Sequence, residues 1–222
     1  MMADSHHTPR LGVLVSGRGS NLAALIAAIA REELVAQIAL VISSKAAVPA
    51  LEIAASAGIP TLVVAPKQYA SRAAEGQAIV AALQAAAVEL VITAGFARVF
   101  DPCVVAAYPG RIINIHPSLL PAFAGSMAPG PQAEALAAGV KLAGCTTHFI
   151  TNETDAGPII GQAVVPVLDD DTVATLSARI LAQEHRLLAT SVAAVLADEV
   201  RVEGRRTVRV ITPRGEASHA RD

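Results

Sequence analysis

The sequence predicts an α/β protein: one Rossmann-like, doubly wound domain whose mostly parallel sheet turns mixed near its C-terminal part, with helices on both faces. Three observations predict it. Short β-branched runs alternate with longer Ala- and Leu-rich stretches, the signature of successive βαβ units. Of the 222 residues 53% are apolar but only 3% are aromatic and 16% charged, so a core of Ala, Val, Leu and Ile is expected, at a length that suits one domain. Further along, two strand-like segments follow one another across a turn instead of a helix, which calls for antiparallel pairing.

Residues 11–15 read as the first strand, and Ser20 stands in capping position ahead of a helix over 21–31. A second strand over 37–42 leads to a helix over 49–57, an extended piece over 61–64, a helix over 71–87 and a fourth strand over 90–93. The run 112–115 is expected to be the central strand. Residues 146–150 and 161–167 form the hairpin-like pair, joined by a turn that contains Asp155, Gly157 and Pro158. A long amphipathic helix over 172–197 should pack across one face, with Asp169 to Asp171 ahead of its positive end. Residues 208–211 are expected to add an edge strand. With no linker or repeat in view, one domain over 10–212 is expected between a disordered tail (1–9) and a flexible one (213–222).

A formal charge of −2 gives no field to attract nucleic acid or an anionic membrane, so the expected partners are small-molecule substrates, for a monomer or homodimer. Cys103 and Cys145 lie in apolar surroundings without C-x-x-C spacing, the pattern of reduced cytosolic thiols. The opening M-M-A-D-S-H-H-T-P-R lacks the apolar stretch of a signal peptide, and the Ala-rich segment 79–87, interrupted by Gln84, is too short to cross a bilayer. A cytoplasmic protein is expected. His6 and His7 read as a solvated tail and not as metal ligands, and no metal is expected.

The most informative stretch is 112–121, I-I-N-I-H-P-S-L-L-P. A strand buried on both faces should be continuously apolar, so a carboxamide and an imidazole at its C-terminal end call for a reason. That edge is where ligands bind in an open parallel sheet. Asn114 and His116 stand two apart, which puts both side chains on one face ahead of a turn fixed by Pro117. The segment 16–21, S-G-R-G-S-N, lies between the first strand and its helix, where glycines and a helix N-terminus suit one phosphate group. The third glycine and the acidic residue of a dinucleotide site are missing, as is the Lys-Ser/Thr pair of a P-loop. Asp155 either bonds the backbone of its own turn or reaches His116 across the sheet edge as an acid–base partner. His148 is either a core histidine or a group behind the site. For Glu184 and His185 solvated or capping roles are the default.

Together these residues are similar to a known family. N-x-H-P-S-L-L-P with a downstream D-x-G-P resembles the formyltransferase-type fold, and S-G-x-G-S-N narrows the resemblance to the folate-dependent glycinamide ribonucleotide formyltransferases of purine synthesis. The resemblance runs from Leu11 to about Ala197. It implies formyl transfer from 10-formyltetrahydrofolate to a primary amine, with Asn114, His116 and Asp155 catalytic. It further implies that Arg18, Gly19, Ser20, Asn21 and Glu184 bind the phosphate and ribose side of the acceptor, with Arg72, Pro117 and His148 as weaker contacts. The folate would lie along Ala97, Arg98, Val99 and Phe100 and against Ile150 and Thr151. No metal or covalent nucleophile is implied.

One stretch departs from the family pattern. After L-L-P this chain reads F-A-G-S-M-A-P-G-P-Q-A-E-A-L over 123–136, without the histidine and arginine of P-G-x-H-x-x-R-x-A-L. Two other readings use the same residues: a 10-formyltetrahydrofolate hydrolase, in which water attacks, and a non-catalytic folate- or phosphate-binding homologue. Methionyl-tRNA formyltransferases share H-P-S-L-L-P but carry an RNA-binding domain and need basic surface.

Overall fold

A computed structural model describes residues 7–210. The first βα units are β1 (Arg10–Val15), α1 (Ser20–Ala30), β2 (Gln37–Ser43), α2 (Pro49–Ser56) and β3 (Thr61–Val63). Then come α3 (Arg72–Ala85), β4 (Leu90–Thr93), α4 (Pro102–Ala107) and β5 (Ile112–His116). The chain continues through α5 (Gly130–Ala137), β6 (Leu142–Phe149), β7 (Ile159–Pro166), α6 (Val173–Leu196), β8 (Val200–Glu203) and β9 (Arg206–Arg209). Seven strands form the main sheet in the order β3-β2-β1-β4-β5-β6-β7. All neighbours are parallel except β5 with β6 and β6 with β7. The expected parallel sheet turning mixed is therefore present. The switch falls on β5, which lies beside the central β4.

Alternation along the strands builds two cores, one on each face of the sheet. Leu11, Val13 and Val15 of β1 pack with Leu22 and Leu25 of α1 and with Leu176, Ile180, Leu188 and Val192 of α6. Leu14 faces the other way, into a core with Ile79 and Leu83 of α3 and Val104 of α4. In β5, Ile113 and Ile115 join the first core and Ile112 the second, so Asn114 and His116 follow Ile112 onto the α3 and α4 side.

The helix starts follow local chemistry. Ser71 accepts from the Ala74 amide at 3.1 Å and Asp101 from the Cys103 amide at 3.0 Å, while Thr172 and Thr175 cap α6 reciprocally. Helix α1 differs from expectation: Ser20 is its first residue, the capping position is Gly19 at φ 78°, and no side chain caps it. A Cβ on Gly19 would stand 2.7 Å from the Ala50 Cα, so α2 packs where a side chain would be. The capping hydroxyl is replaced by a glycine that brings α1 and α2 together.

Other expectations are corrected. Helices α4 and α5 were not anticipated; α4 is short and carries adjacent valines, and α5 opens on Gly130 and Pro131, which read as breakers. Val208 does not extend the main sheet: β9 pairs with β8 in a separate antiparallel hairpin, with Val208 opposite Arg201, and Ile211 lies outside the described residues. Of the expected tails, 1–6 and 211–222 lie outside as well. Within 7–9, His7 contacts Glu89 at 2.9 Å and the Pro9 carbonyl accepts from the Gln37 amide. No helix among the described residues is long and apolar enough to cross a membrane.

Candidate active site

The C-terminal ends of β4 and β5, His148 opposite Asn114 in β6 and the turn after β6 come together at one site. His116, 4% exposed, places Nδ1 3.5 Å from Asp155 Oδ2 and Nε2 3.3 Å from the Phe123 carbonyl oxygen. Both ring nitrogens thus face oxygen acceptors, and a doubly protonated ring can donate at both ends. Of the two alternatives for Asp155, the carboxylate reaches the imidazole.

Asp155 is held there by backbone. Its own φ is 51°, in the left-handed region that aspartate tolerates better than most residues, and its Oδ2 accepts from the Gly125 amide at 2.8 Å. Two residues on, a Cβ at Gly157 would lie 1.8 Å from the Phe149 carbonyl oxygen, so the turn closes onto β6 only with glycine. The D-x-G-P spacing is the local reason that Asp155 arrives at His116.

Asn114 is half-buried between two neighbours in the sheet. Its Oδ1 accepts from Thr93 Oγ1 at 2.6 Å, and its Nδ2 lies 3.1 Å from His148 Nε2. His148 is buried, with Nδ1 donating to the Phe149 carbonyl at 2.9 Å and Nε2 3.8 Å from Asp155 Oδ1. Burial pushes the His148 pKa down, outweighing the Phe149 carbonyl and Asp155, which pull it up. The Pro117 carbonyl faces Gln132 Nε2 at 3.5 Å.

The 16–21 segment sits at the same sheet edge. Asn21 Nδ2 donates to Glu184 Oε2 at 2.8 Å, joining residues 163 apart in sequence, while Asn21 Oδ1 is buried without a partner. Burial pushes the Glu184 carboxyl pKa up, with the Asn21 hydrogen bond and the charge of Arg18 opposing. Glu184 is therefore no solvated helix residue. Arg18 is exposed and Ser20 half-buried.

Between β4 and α4, Phe96 and Phe100 stack with centroids 5.4 Å apart. Arg98 pairs with buried Glu75 at 2.8 Å, the Phe100 carbonyl accepts from Arg72 at 2.9 Å, and Val99 is exposed. Arg72 is thus placed with the 97–100 segment and not with the 16–21 loop. The two segments meet through Ser16, whose Oγ accepts from the Ala97 amide at 2.9 Å and contacts Ser44 Oγ at 2.6 Å. Ile150 and Thr151 continue from β6, with the Ile150 amide donating to the Ile112 carbonyl at 2.9 Å. Among the described residues no group of three or more His, Cys, Asp or Glu side chains is arranged to hold a metal ion.

Residues 9–192 match the family described as formyl transferase. The chain belongs to the formyl transferase family. It is similar to the chicken (Gallus gallus) trifunctional purine biosynthetic protein adenosine-3, at 45% identity over 87% of this chain and 19% of that protein, and so spans about a fifth of that relative. The Bacillus subtilis phosphoribosylglycinamide formyltransferase is 39% identical over 80% of this chain and 89% of its own. The crystal structure of glycinamide ribonucleotide transformylase 1 from Symbiobacterium toebii superposes with a TM-score of 0.90 at 43% identity, covering 95% of this chain and 98% of that one.

Within this family fold, the 123–136 departure keeps its contacts with the site through main chain: the Phe123 carbonyl meets His116 and the Gly125 amide meets Asp155. Sequence reasoning missed Thr93, Ser44 and these two backbone groups. Thr93 and Ser44 had a signal, since each is a hydroxyl at the end of an apolar strand run, as Asn114 is.

Proposed function

We propose that this chain transfers the formyl group of 10-formyltetrahydrofolate to the primary amine of 5'-phosphoribosylglycinamide, giving formylglycinamide ribonucleotide and tetrahydrofolate. The observation that carries this reading is the joining of Asn114, His116 and Asp155 at the C-terminal sheet edge, within contact distance of one another or of shared partners. The amine attacks the formyl carbon and electrons move onto the carbonyl oxygen. The Asn114 amide donates to that oxyanion. The His116 Nε2–H joins it by leaving the 3.3 Å contact with Phe123, which is long enough to exchange for a charged acceptor. Asp155 supports the imidazolium and carries the ammonium proton to the departing folate nitrogen, so collapse of the tetrahedral intermediate returns neutral products.

The acceptor phosphate lies against Arg18, Gly19, Ser20 and Asn21, where the α1 N-terminus, which no side chain caps, offers free amides. Glu184, held by Asn21 Nδ2 at 2.8 Å, receives the ribose. The folate lies along 97–100 and against Ile150 and Thr151, with Arg72, Pro117 and His148 supporting. Residues 10–212 act as the catalytic unit, in the cytoplasm, as monomer or homodimer, without nucleic acid, membrane or metal.

The test follows the ultraviolet absorbance change as 10-formyltetrahydrofolate loses its formyl group, with and without the ribonucleotide. Loss that requires the ribonucleotide is expected. Equal loss without it would point to a hydrolase, and no loss in either arm to a binding protein or a different acceptor.

A further inference from the structure

A carboxamide can turn either its oxygen or its nitrogen toward a reacting carbonyl, and only the nitrogen donates to an oxyanion. In Asn114 the choice is set by a chain of one-way hydrogen bonds. The Phe149 carbonyl only accepts, so His148 Nδ1, 2.9 Å away, carries the hydrogen. Burial disfavours the charged ring, and in the neutral ring with its hydrogen on Nδ1 the Nε2 carries a lone pair. The atom 3.1 Å from that lone pair must then be a donor, Asn114 Nδ2, and Asn114 Oδ1 is turned toward β4.

There the hydroxyl of Thr93 meets it at 2.6 Å. The same hydroxyl lies 3.3 Å from the Ile113 carbonyl, but it has a single hydrogen and the shorter contact takes it. Register puts the three residues in one row across the sheet: Thr93 pairs with Asn114 on the parallel side, and His148 pairs with it on the antiparallel side. Thr93 is 2% exposed, so water does not replace its hydroxyl. One Nδ2 hydrogen goes to His148 and the other remains for substrate.

We propose that Thr93 is a positioning residue for formyl transfer, its hydroxyl holding the Asn114 carboxamide with an N–H aimed at the oxyanion. The inference rests on the formyl-transfer reading above. A hydroxyl serving only the strand end would act through the Ile113 carbonyl and be indifferent to the Asn114 side chain.

The experiment is a double-mutant cycle of Thr93→Val and Asn114→Ala, with Thr93→Ser as the conservative variant. Rates are measured at saturating formyl donor and ribonucleotide, by single turnover where they are slow, and thermal unfolding checks each fold. Thr93→Val is expected to lower kcat roughly ten- to thirtyfold, with both KM values within about twofold of wild type. Thr93→Ser should recover most of the loss, and Thr93→Val should change nothing further once Asn114 is alanine. A kcat within about twofold of wild type, a full additional loss in the Asn114→Ala background, or a serine variant as impaired as the valine one would each overturn the inference. If the valine variant does not fold, Thr93→Ala replaces it in the cycle. Failure of both to fold would also overturn the inference, because the hydroxyl would then serve the fold. A wild type without ribonucleotide-dependent transfer overturns the functional reading and this inference with it, and that control tells the two failures apart.

Discussion

Replacing Gly157 by alanine tests whether one close approach holds the site together. The added Cβ would stand 1.8 Å from the Phe149 carbonyl oxygen, 2.9 Å from its carbon and 3.3 Å from Thr151 Cγ2, against the 3.0 Å that real Cβ contacts require. The obstacle is backbone of β6, so the turn must retreat by more than about 1 Å. The same carbonyl accepts from His148 Nδ1, and two residues upstream Asp155 meets His116 at 3.5 Å, so the retreat disturbs both contacts. A buried hydrogen bond left unmade costs about 1–3 kcal/mol and overpacking about as much again, which together give roughly 4 kcal/mol of lost stability. For a chain of this size that is about 8–16 °C in Tm. Displacing the Asp155 carboxylate by 1 Å should lower kcat/KM by about a hundredfold or more. Thermal unfolding and the formyl-transfer assay read the two effects separately. A variant within about 1 °C and twofold of wild type would refute the claim that glycine is needed there.

Two further outcomes follow from the same geometry. His116→Ala and Asp155→Ala should each lower kcat by about 10² to 10⁴-fold while ribonucleotide affinity, measured by titration, shifts only a few-fold; near-normal turnover in both would remove the acid–base roles. Glu184 is a carboxyl whose pKa is raised by burial, so the folded state disfavours its ionised form: its contribution to stability is full at pH below the ordinary glutamate range and is lost as pH rises through the elevated folded value. Glu184→Gln should therefore flatten the fall of Tm with rising pH above about 4.3, and an unchanged slope would show that this carboxyl is not the source.

Much of the fold was legible because strand and helix periods are local. The apolar runs of β1, β2, β4 and β5 announce themselves within a few residues, and the two-residue spacing of Asn114 and His116 already places them on one face. Helices α4 and α5 were not legible, since six residues with adjacent valines and a Gly-Pro start look like loop until packed against the sheet. The Val208 segment looked like a sheet edge because pattern reports that a strand forms and not which strand it joins.

The site divides along the same line. Local pattern is enough to bring the chemical groups to the sheet edge: the carboxamide and imidazole ending β5, the glycine-rich loop before α1, and the D-x-G-P turn that carries a carboxylate. Their pairing is a matter of packing. Asn21 finds Glu184 across 163 residues, Thr93 and His148 flank Asn114 because β5 happens to lie between β4 and β6, and Phe123 and Gly125 reach His116 and Asp155 through main chain that has no side-chain identity to read. The physical reason is that periodicity fixes the direction of a side chain relative to its own element, whereas a hydrogen bond depends on the order of strands and the path of loops, which are settled by packing both cores at once.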